Sequence, residues 1–364
     1  MTLPISAAEQ FASRPVSEVR IFGNGHVHDT YLVTLEEAER QRFILQRLNT
    51  HIFNQPHLIN QNIRLFSQHM DRRLGQAPLI AGRRWEVPSL LLTGEGRDLW
   101  LDPDGSFWRA ISFIEKTRVF ETIQDLDQAR EVGWALAMFH RLLSDLSPER
   151  LSDTLEGFHI TPHYLDHYDQ VLAENRPPRS PEVEYGLRFV AKRRAQAGVL
   201  ESAKAQGRLR LRPIHGDPKV NNVLFDAETN QAVGLIDLDT VKPGLVHYDI
   251  GDCLRSVCNP IGEEAENWEA VRFDLSFCRA VLQGYLPLVR DTLSPADWDY
   301  FYEALCVIAF ELGLRFFTDF LESNIYFKTD HPEQNLKRAL VQFKLLASIE
   351  SQAADIQILI RETG

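Results

Sequence analysis

One stretch constrains this chain more than any other: Pro213-Ile214-His215-Gly216-Asp217-Pro218-Lys219-Val220-Asn221-Asn222-Val223-Leu224-Phe225-Asp226, continued by Val233-Gly234-Leu235-Ile236-Asp237-Leu238-Asp239. It reads as a polar loop, a short apolar strand, a turn, and a second apolar strand ending on carboxylates. The turn Asp226-Ala227-Glu228-Thr229-Asn230-Gln231 makes the two strands a hairpin, with Asn222 and Asp237 at its open end. A turn in which Asp217 and Asn222 only satisfy backbone donors would explain the loop. It would not explain the carboxylate that closes the second strand.

The spacing is H-x-D-x-x-x-x-N followed by an Asp on a hairpin, which is the layout of a kinase-type phosphoryl-transfer site. Asp217 can accept or orient the proton of a substrate hydroxyl. The Asn222 amide oxygen and the Asp237 carboxylate are hard oxygen ligands of the kind Mg²⁺ prefers. Lys219 can set a cation beside the transferred group, where neutralising phosphate charge is much of the work. Asp239 has two readings, a second metal ligand or a bracing carboxylate.

The segment from His215 to Asp239 resembles the aminoglycoside phosphotransferase and choline kinase superfamily. Three other stretches look more narrowly like N-acetylhexosamine 1-kinases: Phe22-Gly23-Asn24-Gly25-His26-Val27-His28-Asp29-Thr30-Tyr31, Phe43-Ile44-Leu45-Gln46-Arg47-Leu48-Asn49, and Leu314-Arg315-Phe316-Phe317-Thr318-Asp319 with Tyr326-Phe327-Lys328. The resemblance implies a bilobal, protein-kinase-like α+β fold. A small mixed β-sheet lobe (residues 1–115) would bind nucleotide, and a larger, mainly helical lobe (116–364) would carry catalysis and substrate. It implies ATP and Mg²⁺, with the anomeric hydroxyl of an N-acetylhexosamine as acceptor. By the same resemblance, Phe113 and Glu115 lie at an inter-lobe hinge that meets adenine, with a plain edge strand as the other reading. Asp249 would brace the catalytic loop through its amides, or else cap a helix. Arg315 and Tyr326 would line the sugar pocket, although Glu311, Arg315 and Asp319, each four apart, also fit an exposed ion-pair ladder.

The first strands pose a problem for this reading. Gly23 and Gly25 form a turn whose backbone N–H groups can approach phosphates, although a lone G-x-G is also an ordinary hairpin. His26 and His28 read as loop histidines, with contact to nucleotide or sugar as the other reading. No lysine precedes Lys116, and the basic residue typical of the fold would fall at Gln46 or one position on, at Arg47. By strand alternation Gln46 shares a face with Ile44, and Arg47 points away. The following helix (56–70) buries Ile59, Ile63, Phe66 and Met70 and offers Gln61 and Asn62 in place of the usual glutamate. A neutral polar pair is therefore expected where the fold usually has an ion pair.

Further on, a strand runs through residues 111–115, and a helix begins at Asp125 with Gln128 as its capping partner. Trp134, Phe139 and His140 read as core. Residues 175–181 are too rich in proline for regular structure. Helices are expected over 182–204, from Ser294 through Phe320, and over 332–360.

The 364 residues suit two domains or one bilobal domain. A net charge of -12 argues against a nucleic-acid partner. Four cysteines without metal or C-x-x-C spacing read as buried thiols in a reducing cytoplasm. The N-terminus lacks signal-peptide character, and no apolar run is long enough for a bilayer. The expected partner is a small molecule, and the expected state a monomer or weak homo-oligomer. Kinases for aminoglycosides, amino alcohols or other sugars share every feature except the pocket. A non-catalytic nucleotide-binding module is the remaining rival.

Overall fold

Apolar residues alternate along the N-terminal strands, and burying that one face organises the smaller lobe. The computed structural model describes residues 3–23, 27–36, 41–76, 82–175 and 177–363. Helix α1 (Leu3–Phe11) leads to strands β1 (Val16–Ile21), β2 (Asp29–Leu35) and β3 (Arg42–Arg47). After α2 (Pro56–Gln76) come β4 (Leu90–Leu91), β5 (Trp100–Leu101) and β6 (Phe107–Ser112). The sheet order is β1-β2-β3-β6-β4, β5 also pairs with β6, and every pairing is antiparallel. Val33, Phe43, Leu45, Trp108 and Ala110 cover one face and pack on Ala7, Ala8 and Phe11 of α1. On the opposite face Thr30, Gln46 and Arg109 share one rung.

Ile59, Ile63, Phe66 and Met70 of α2 are buried as their periodicity requires, but in the core of the larger lobe. Strand β6 stops at Ser112, short of residue 115, and its last pairing is with Phe43 of β3. Next, β7 (Thr117–Arg118) pairs with β9 (Val223–Asp226) of the catalytic hairpin.

The larger lobe is mainly helical: α3 (Leu126–Leu142), α4 (Thr161–Glu174), α5 (Pro181–Arg193) and α6 (Val199–Ala205) precede β8 (Arg212–Ile214). The hairpin β9 (Val223–Asp226) and β10 (Ala232–Leu235) follows, then β11 (Lys242–Gly244) on β8. Helices α7 (Val246–Val257), α8 (Leu275–Val289), α9 (Pro295–Asp299), α10 (Phe301–Leu321), α11 (Gln334–Ser351) and α12 (Ala353–Thr363) complete it.

Three helices expected to be continuous are broken. The 182–204 segment divides around Gly198, a residue of low helix propensity. The Ser294 helix starts with a full Ser294/Asp297 capping box, but the Tyr300 amide turns onto Asp297 O and Trp298 O, closing α9 before α10 begins. The last helix breaks at Gln352. All four cysteines are buried and free. No described helix is long and apolar enough to cross a membrane.

Candidate active site

The catalytic loop hangs from β8 on buried polar anchors. Asp249 on α7 accepts the amides of His215 at 2.7 Å and Gly216 at 2.8 Å, as a bracing residue should. His140 on α3 donates Nε2–H to Asp249 at 2.8 Å, and its Nδ1 accepts the Tyr285 hydroxyl at 2.8 Å. Burial alone would raise the Asp249 pKa, yet His140 and the loop hold it below the usual carboxylate range. From the other side His159 donates to Gly216 O at 2.7 Å and to the Glu311 carboxylate at 2.9 Å. Two pure acceptors require a proton on each ring nitrogen. Against its burial, Glu311 accordingly raises the His159 pKa above the ordinary value.

The expected triad comes together in front of this scaffold. Asp217 Oδ2 accepts Lys219 Nζ at 2.7 Å and Asn222 Nδ2 at 3.0 Å, and Asn222 Nδ2 also reaches Asp217 O at 2.7 Å. Desolvation pushes the Asp217 carboxyl up, but Lys219 overrides it and the pKa lies below the ordinary value. The Ile236 amide donates to Asn222 O at 2.9 Å, closing the mouth of the hairpin so that Asp237 follows directly. Asp237 sits in the left-handed region at φ 62°. Its carboxylate has no hydrogen bond or ion pair among the described residues. Desolvation and the nearby Asp239 and Asp217 raise its pKa.

These groups fit a divalent cation. Asn222 spends its amide nitrogen on Asp217, which leaves Oδ1 as a hard oxygen donor beside the unpartnered Asp237. No cluster of three or more His, Cys, Asp or Glu forms a metal cage among the described residues. Mg²⁺ commonly rests on one or two protein oxygens plus substrate phosphates, so two ligands suffice.

Arg315 does not join an ion-pair ladder. Glu311 is taken by His159 and by Thr161 at 2.7 Å. Asp319 accepts the amides of Tyr326 at 2.7 Å and Phe327 at 3.0 Å and the Asn335 amide at 2.8 Å. The Arg315 guanidinium lies instead 5.1–5.8 Å from the rings of Phe158, Tyr164, Tyr326 and Phe327. Tyr326 is 44% exposed, so this aromatic box opens to solvent. Asp217 is among the charges that raise the Arg315 pKa.

On the cleft face of the sheet, Gln46 has a different partner from the one expected. Its Oε1 accepts Arg109 Nε at 2.9 Å and Nη2 at 2.7 Å, and its Nε2 donates to Thr30 at 3.3 Å. Gln61 is exposed. Asn62 donates to Ser152 O at 2.8 Å and Val241 O at 2.9 Å in the larger lobe. The neutral pair therefore does not form. Arg47 faces away and pairs with Asp29. His28 is no loose loop histidine: it is 6% exposed, donates Nε2–H to Asp239, and accepts the Asn49 amide on Nδ1 at 3.0 Å. Arg109 lies 2.5 Å from the other Asp239 oxygen. Neither Arg109 nor this role of His28 is legible from residue spacing.

Gly23 has φ 74° and open space where a Cβ would stand, while Gly25 and His26 lie outside the described residues. Phe113 packs edge-on against Phe22 at 5.9 Å and under Arg42 at 4.5 Å. The Glu115 carboxylate is paired with Arg42, and its backbone carbonyl accepts Arg84 Nη2 at 3.2 Å.

Fold and site together define a bilobal, kinase-like phosphotransferase. A sequence model of the phosphotransferase enzyme family (APH) matches residues 18–285, and the chain belongs to that family. Among solved structures it resembles a microcompartment-associated aminopropanol kinase, with TM-score 0.65, 16% identity and 97% of each chain covered. It also resembles an aminoglycoside phosphotransferase from Alicyclobacillus acidocaldarius, with TM-score 0.60, 14% identity, and 98% of this chain and 97% of that one covered. A third is an amicoumacin kinase in complex with AMP-PNP and Ca²⁺, with TM-score 0.57, 15% identity, and 96% and 92% covered. At these identities the likeness is one of fold.

Proposed function

We propose that this protein transfers the terminal phosphoryl group of ATP to a hydroxyl of a small molecule, with the anomeric hydroxyl of an N-acetylhexosamine as the favoured acceptor. The observation that carries the reading is the Asp217 carboxylate, anchored on one oxygen by Lys219 and Asn222. Its Oδ1 has no protein hydrogen bond among the described residues and is left for a substrate hydroxyl. Asp217 orients that hydroxyl and takes its proton as the new P–O bond forms and the bond to ADP breaks. Lys219 balances charge at the transferred group. Asn222 and Asp237 would hold Mg²⁺, whose chemistry is to screen the phosphate oxygens.

The sugar acceptor is favoured by the Arg315 box. A cation ringed by aromatic side chains can donate to sugar oxygens and repels amines, which weighs against the amino-alcohol and aminoglycoside acceptors that the names of the fold neighbours suggest. Release of ADP with Mg²⁺ and ATP, measured across N-acetylhexosamines, hexoses, amino alcohols and aminoglycosides, tests this. Turnover only with amines would overturn the sugar assignment. No turnover with any acceptor, alongside ATP binding, would favour a non-catalytic module.

A further inference from the structure

Gln46 stands on the strand where a phosphate-gripping lysine is expected, and its sheet neighbours Arg42 and Arg47 are committed to Glu115 and Asp29. The cation on the cleft face of that rung is Arg109. It is 1% exposed, steadied by two hydrogen bonds to Gln46 Oε1, and reaches across the lobes to Asp239, which is 2% exposed. His28 holds the other oxygen of the same carboxylate. Asp239 Oδ1 is buried with no aligned hydrogen bond although Arg109 Nη2 stands 2.5 Å away, so charge rather than direction holds that contact.

The consequence reaches Asp237. Asp239 lies inside the single 3-10 turn Leu238–Thr240, and Asp237 is the residue that enters it. That turn is pinned by Thr154 on Asp239 O at 2.9 Å and by Thr240 on His215 O at 2.8 Å. Whatever fixes Asp239 therefore fixes Asp237. With the Arg109 cation and the His28 N–H already on its two oxygens, Asp239 is poorly placed to attract a further cation, whereas Asp237 is free to do so.

We propose that Arg109 and Asp239, steadied by His28 and Gln46, form an inter-lobe clamp that positions Asp237 for a metal-bound nucleotide, replacing the missing lysine without gripping phosphate. This rests on the kinase reading above. Arg109 and Asp239 are thus positioning residues.

Calorimetric titration of the full chain with ADP, in Mg²⁺ and separately in EDTA, tests the clamp. Arg109→Gln and Asp239→Asn should each weaken Mg-ADP binding by roughly 3–30-fold, the span typical of coupling through positioning residues. Metal-free ADP affinity should stay within about twofold of wild type, and the double variant should be no worse than either single one, as coupled partners require. Arg109→Lys should recover part of the loss. Equal losses with and without metal in Arg109→Gln would make Arg109 a direct phosphate ligand and overturn the clamp. A loss confined to Asp239→Asn would make Asp239 a metal ligand and overturn it too. Unchanged metal dependence in both variants, with wild-type binding intact, sinks the clamp alone. If the wild type shows no metal-dependent nucleotide binding, the kinase reading fails and takes the clamp with it.

Discussion

Lys219 folds back over two residues to set its ammonium 2.7 Å from Oδ2 of Asp217. The pair keeps the carboxylate ionised and in one orientation. Asp217→Asn retains the shape but cannot take a proton, so turnover should fall by roughly 10²–10⁴. Lys219→Gln removes a charge-assisted bond of ~1.5–3 kcal/mol, and a loss of about 10–100-fold in kcat is expected if the bond matters fully in the transition state. Steady-state kinetics at saturating ATP check both. Full activity in Asp217→Asn would remove that residue from the mechanism.

The loop carrying Asp217 is held from behind by Asp249, which takes two backbone amides at once. Asp249→Asn turns one acceptor oxygen into a donor facing an N–H group. The loop should shift, and a displacement near 1 Å costs on the order of 10²-fold in rate. The expected signature is a fall in kcat/KM with circular dichroism unchanged. Wild-type kinetics in this variant would show that the loop holds its shape without the brace.

Helices α3 and α8 meet backbone to backbone. A methyl on Gly133 would lie 2.1 Å from Val281 O, and one on Gly284 2.0 Å from Arg130 O. Backbone cannot rotate away, so either Gly→Ala change forces the helices apart. Each should cost about 1–3 kcal/mol, the usual range for overpacking. Urea denaturation reads the loss, and an unchanged midpoint would mean that the two helices slide without penalty.

What the sequence disclosed follows from how local each feature is. Asp217, Asn222 and Asp237 lie on one loop and one hairpin, so their spacing alone brings them together. The Asp249 brace came from the family resemblance rather than from spacing, which left a helix cap equally open. The clamp was not legible: His28 and Asp239 are 211 positions apart, and Arg109 meets Gln46 only through strand register. No periodicity records register between strands separated by a helix. Asn62 misled for a related reason. Its position on α2 suits a partner for Gln46, but the face it occupies is set by packing on the larger lobe. The breaks at Tyr300 and Gln352 were hidden because the apolar stripe continues across them.

Acid should destabilise this fold through His247. Its Nε2–H donates to Asp297 O at 2.9 Å, while Nδ1 is buried with no hydrogen-bond partner. Burial is the largest cause that lowers its pKa from 6.5 to about 4, with Arg212 and His140 adding to it and Asp297 opposing. Between those values the unfolded chain binds the proton and the folded chain does not. Stability from this site is therefore full above pH 6.5 and is lost as pH falls towards 4. At about 1.4 kcal/mol per pKa unit the loss is ~3 kcal/mol. His159 has its pKa raised and slopes the other way, its contribution being present at low pH and lost as pH rises through its folded value. The comparison that isolates His247 is accordingly His247→Gln against wild type, by denaturant unfolding from pH 7.5 to 4. The variant should lose less stability over that range. Parallel curves would mean that the ring takes up a proton without leaving its place in the fold.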